Sequence, residues 1–188
     1  MLVDIGINLM HKQFHRDREA VLQRAIQHHV GALILTGCSV KGSKEAQQYC
    51  ANYDDGTAPI RLYCTAGVHP HDAKSCNDDT TLQTLRQLAM TPQVVAIGEC
   101  GLDYNRNFSP PAVQRKWFEL QLQLACELQL PVFLHERDAH DDFFQILQRY
   151  SDQLPVAIVH CFTGSEACLR AYLTLPNCSN WNHRMDLR

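Results

Sequence analysis

Val94-Val95-Ala96-Ile97-Gly98-Glu99-Cys100-Gly101-Leu102-Asp103-Tyr104 holds a short apolar run that ends abruptly in a carboxylate, Glu99, flanked by two glycines. A buried parallel strand has this composition, and a charge at its C-terminal end lies where α/β folds place their chemistry. The pattern returns twice downstream. Pro131-Val132-Phe133-Leu134 ends in His135, with Arg137 and Asp138 just beyond, and Pro155-Val156-Ala157-Ile158-Val159 ends in His160. Three strands thus bring a Glu, a His and a His to one rim.

The rest of the chain has the same rhythm. Leu2 to Leu9, Ala32 to Leu35 and Leu62 to Val68 read as earlier strands, the last ending in His69-Pro70-His71. Between strands, apolar residues recur at helical spacing, as at Val21, Leu22, Ala25 and Ile26. Ser109-Pro110-Pro111 predicts a helix start, with a hydroxyl cap and prolines in the first turn, and the helix is expected to run to Gln129. Strand and helix alternate at roughly the 30-residue interval of a βαβ unit. No G-x-G-x-x-G follows the first strand, which speaks against a nucleotide-binding sheet. The fold expected is α/β, a TIM-type (β/α) barrel that is incomplete, with about six of the eight βα units.

Bulk properties narrow the function. A chain of 188 residues suits one domain, and a net charge of −3 argues against a protein that grips its partner by a broad basic surface, so that any nucleic-acid contact is expected to be local or metal-mediated. The nine cysteines include no CxxC pair, and an odd number cannot all pair within the chain. Free thiols in a reducing compartment are the simpler reading. With no signal peptide pattern and no membrane-spanning apolar run, the expectation is a soluble, cytoplasmic protein.

Alternate residues of a strand share a face, so Val95, Ile97 and Glu99 are expected to point one way, as are Phe133 with His135 and Ile158 with His160. In a closed barrel the three polar tips converge at the top of the interior. Imidazoles with a carboxylate make a divalent-metal set, and positions left to water make it hydrolytic. His69 and His71 stand on the same rim and could bind a metal or a phosphate. Asp103 and Asp138 could orient a ligand or base, or simply cap the turns after them. His28 and His29 fall at a helix end, where dipole compensation suffices. The cysteines read as small apolar residues, with Cys161 beside His160 the one less certain to be inert.

G-E-C-G-L-D at 98–103, H-x-R-D-A at 135–139, H-C-F-T-G at 160–164 and G-V-H-P-H at 67–71 together resemble the TatD-type deoxyribonucleases of the metal-dependent hydrolase superfamily. The resemblance implies a TIM-type barrel with one or two divalent ions, magnesium or manganese, that cleaves DNA as a 3′–5′ exonuclease. It implies single-stranded DNA and its 3′ ends as partner, a possible place in DNA repair, no membrane and no obligate protein partner. Carried over by position, Glu99 is the carboxylate ligand and His135 and His160 the imidazole ligands. Glu99, His69, Asp103 and Asp138 form the implied catalytic set, and His69, His71 and Arg137 the implied substrate contacts.

Two departures follow. Many superfamily members begin D-x-H-x-H, whereas Asp4, Gly6 and Asn8 stand here, without either imidazole. Fewer protein ligands leave more bound water, which suits magnesium better than zinc. The family also continues through two further strands, the last with a metal-binding aspartate. The partial barrel is therefore expected to occupy residues 1–179 and to be poorly soluble and weakly active or inactive. Residues 180–188, which show no helical or strand period, are expected to be an out-of-frame tail, since their codons can be written to yield IGITGWIC in another frame. Two other readings stand beside the nuclease: an amidohydrolase-type enzyme with a small substrate, and an inactive product that at most binds metal.

Overall fold

A computed structural model describes residues 2–53 and 57–178; the tail at 180–188 lies outside the described residues. The expected strands are present: β1 (Leu2–Ile7), β2 (Val30–Leu35), β3 (Arg61–Ala66), β4 (Val94–Asp103), β5 (Val132–Arg137) and β6 (Ala157–Val159). All pair in parallel, in chain order. Sequential order belongs to a barrel wall, because a doubly wound sheet reverses direction at a switch point. The helices between and after the strands are α1 (Arg18–Gln27), α2 (Val40–Tyr53), α3 (Thr81–Ala89), α4 (Pro111–Leu128), α5 (His140–Gln148) and α6 (Glu166–Tyr172).

Strand register sorts the side chains onto two faces. Leu35, Cys64, Val94, Ile97, Val132 and Leu134 join the helices' Leu22, Cys50, Leu85, Phe118 and Phe143 in the main core. Each fully buried Leu or Phe contributes about 1.5–3 kcal/mol. On the other face Thr65 pairs with Ala96, Gly98 with Phe133 and Gly101 with His135, and this face is the barrel interior.

One expectation from alternation fails here. Ile97 pairs with Val132 on the helix-side face, so Glu99, two residues on, should lie there too. Between Gly98 and Cys100 the ladder shifts, and Glu99 is the extra residue of a bulge. The bulge turns Glu99 inward and returns Cys100 to the helix side. Ile97 and Glu99 therefore do not share a face, whereas Phe133 and His135, and Ile158 and His160, do. The flanking glycines make the close approach possible, since a Cβ at Gly98 or Gly101 would strike the carbonyl oxygen of Phe133 or His135.

The start of α4 also differs from its reading. Pro110 occupies the cap position, with no side-chain cap bond. The Ser109 hydroxyl instead donates to the carbonyl of His71 at 2.9 Å and accepts from the amide of Lys74 at 3.0 Å. It ties α4 to a 3-10 turn, Pro70–Ser75, that follows β3.

Candidate metal centre

Glu99 is 5% exposed, at the C-terminal mouth of the interior. Its Oε1 faces Nε2 of His160 at 2.6 Å, Nδ1 of His135 at 3.2 Å and Nε2 of His69 at 3.6 Å. Its Oε2 takes the thiol of Cys38, 3.5 Å away. Strands β2, β3, β4, β5 and β6 each supply one of these residues. Cys38, His69 and His160 lie just past β2, β3 and β6, His135 lies near the end of β5, and Glu99 lies within β4, which runs on to Asp103 beyond the end expected from the sequence. Burial alone would raise the Glu99 carboxyl, but the imidazoles of His135, His160 and His69 outweigh it and hold it well below the usual carboxylate range.

A second carboxylate stands behind the first. Asp103, 1% exposed, accepts from Nε2 of His71 at 2.7 Å and of His135 at 3.3 Å. The backbone amides of Asn105 and Arg106 donate to its other oxygen. His135 is thus held between two acids, and their pull outweighs its burial and raises its pKa. His69 goes the other way: burial, with the charges of His135 and His71, lowers it to about 3 despite Glu99.

Donor atoms of His69, Glu99 and His135 all lie within 4.8 Å of one another. An anionic carboxylate ringed by imidazoles suits a divalent cation, which would take the place of the ring protons now pointing at Oε1. His160 approaches the same oxygen from beside Phe133, whose ring stacks on it at 4.3 Å.

Other residues singled out from sequence stand farther out. Arg137 is exposed at the end of β5, and its guanidinium has no hydrogen bond or ion pair among the described residues. Asp138 is exposed, adopts φ 52°, and accepts from Nδ2 of Asn105 at 2.7 Å rather than joining the cluster. Cys161 is exposed, with φ 46°. At Gly6, where the superfamily pattern has its first histidine, φ is 86° and a Cβ would lie 3.1 Å from Cζ of Phe133.

Three residues at or behind the site escaped sequence reading. Cys38 stands at a strand end like the others, and that position was the available signal. Gln114 and Gln121 on α4 gave none. The Gln121 amide accepts from the Val68 amide at 2.7 Å and donates to the Val68 carbonyl at 3.1 Å. Gln114 does the same for Asp103, at 2.8 and 3.1 Å. These side chains substitute for a neighbouring strand where β3 and β4 run out.

Comparison with known proteins identifies the family and its solved relatives. The family model described as TatD related DNase matches residues 3–179. A protein of Dickeya dadantii (strain 3937) named 3′-5′ ssDNA/RNA exonuclease TatD is 52% identical over 166 residues, covering 87% of this chain and 60% of that protein. One of the same name from Pectobacterium parmentieri (strain WPP163) is 47% identical over 180 residues, covering 93% and 66%. The crystal structure of a TatD family hydrolase from Entamoeba histolytica superposes with TM-score 0.83 at 30% identity, covering 92% of this chain and 62% of that one. An uncharacterized amidohydrolase from Saccharomyces cerevisiae gives TM-score 0.81 at 30% identity, covering 93% and 65%. The chain spans three fifths to two thirds of the length of these relatives.

Proposed function

This chain belongs to the TatD related DNase family, and on that premise we propose that it hydrolyses phosphodiester bonds of single-stranded nucleic acid from the 3′ end, with a divalent cation. Relatives named 3′-5′ ssDNA/RNA exonuclease support DNA, and RNA besides, as substrate. The observation that carries the proposal is the convergence of His69, His135 and His160 on one oxygen of Glu99.

Glu99, His135 and His160 would hold the cation, with His69 near enough to share it or to contact the phosphate. A bound cation would activate water and offset charge on the phosphoryl oxygens. The protein's own part is positioning. Asp103 fixes the rings of His135 and His71, while His71 and Arg137 contact the strand at the mouth and Asp138 orients groups from its edge. With glycine and asparagine at positions 6 and 8, the ion keeps more water, which favours magnesium or manganese.

The nine free cysteines support a reducing, cytoplasmic setting, and among the described residues no helix is long and apolar enough to cross a membrane. Trimming of damaged DNA ends, without an obligate protein partner, fits this reading. Residues 1–179 form the barrel portion in this proposal and 180–188 an out-of-frame tail; the DNA downstream of codon 179 tests that division.

The activity is tested with a 5′-labelled single strand and magnesium. Stepwise loss of 3′ nucleotides is expected, abolished by EDTA. Glu99→Gln should lower it by more than the roughly 10–100-fold typical of losing a ligand's hydrogen-bond partner. Full activity in zinc with none in magnesium contradicts the choice of cation, and hydrolysis of cyclic amides without any nuclease activity contradicts the reading itself.

A further inference from the structure

We propose that Phe108 is the platform on which a nucleobase of the single-stranded substrate stacks, an inference that rests on the nuclease reading above. Phe108 is 53% exposed and is the aromatic one among the large hydrophobics left exposed in the described residues. One side of its ring meets His71, with centroids 4.7 Å apart and planes at 62°.

That contact ends a row of rings leading out from the cluster. His135 to His69 is 4.4 Å between centroids, His69 to His71 is 4.3 Å, and Phe108 comes next, at the solvent end. A base on its open side lies one ring beyond His71.

The loop is built to hold the ring there. Asn107 adopts φ 49° and donates from Nδ2 to the Tyr104 carbonyl at 2.6 Å. Ser109 is fully buried and pinned to His71 and Lys74, and its carbonyl accepts from Gln114 at 2.8 Å. Pro110 and Pro111 stiffen the exit. An exposed ring between two fixed neighbours loses little entropy when a ligand covers it.

Charge points the same way. A net charge of −3 gives no overall attraction for the phosphates of a strand, so contact with the bases is expected to supply part of the affinity. Stacking on an aromatic face suits bases of any sequence and is open to unpaired strands.

The test is fluorescence anisotropy with a labelled single strand whose 3′ linkages are phosphorothioate, in magnesium. Phe108→Ala and Phe108→Leu should each weaken binding by about tenfold or more, and Phe108→Trp should retain it. An abasic nucleotide, tried in turn at the three terminal positions, should at one of them weaken the unchanged protein equally and add nothing to Phe108→Ala. Undiminished binding by the Ala and Leu variants, or losses that add, overturns the platform. If such variants also release nucleotides normally, the nuclease reading stands without it; if the unchanged protein holds no strand at all, both fall.

Discussion

Replacing Asp103 by Asn keeps the side chain's shape, and with it the oxygen that takes the amides of Asn105 and Arg106, but removes the charge that aims His71 and His135. Manganese binding should weaken about 10–100-fold by calorimetry, with an unchanged far-UV dichroism spectrum. A purely structural Asp103 would lose stability and leave affinity alone. At this scale the residues legible in the sequence were those on a simple rule, a polar residue ending an apolar strand, which picked out Glu99, His135, His160 and His69. The rule applied equally to Cys38, whose thiol meets the Glu99 carboxylate. It was passed over because it stands beyond the apolar run, after Thr36-Gly37, and a cysteine reads as a small apolar residue. Glu99 itself joins the cluster by a route alternation cannot supply, a bulge whose one mark in the sequence is the pair of glycines around it.

Helix α4 does more than cover the sheet. Its buried face holds Trp117, Phe118, Leu122 and Leu124 together with Gln114 and Gln121, and the glutamines grip the ends of β4 and β3. Gln121→Leu preserves the volume but strips the Val68 amide and carbonyl of their partners. It should cost about 1–3 kcal/mol in urea unfolding, whereas Gln123→Leu, on the exposed side, should cost less than about 0.5 kcal/mol. The helix and its proline start were legible; the clamp was not. A glutamine at helical spacing looks solvent-facing until the strand end it serves is known, and that pairing is tertiary. Ser109 misled in the same way, since a hydroxyl before prolines normally caps a helix and here joins two loops.

The whole molecule is a run of parallel βα units, and that much followed from the spacing of apolar runs. Among the described residues β1 and β6 each have one strand neighbour. On β1, Leu2, Val3 and Ile5 are 63%, 44% and 37% exposed. An open, apolar sheet edge invites pairing with another chain. Sedimentation velocity should show self-association that grows with concentration and that Val3→Lys reduces; a chain monomeric throughout contradicts this. Inside the sheet, the contact between Gly6 and Phe133 limits how the ligand set could be enlarged. A histidine does not fit β1 at this position as it stands, because the left-handed backbone at Gly6 strains any side chain and the tip of the Phe133 ring crowds its Cβ. Position 6, the ring from β5 and the local path of β1 would have to change together, so Gly6→His alone is expected to give a strained misfit rather than an added ligand.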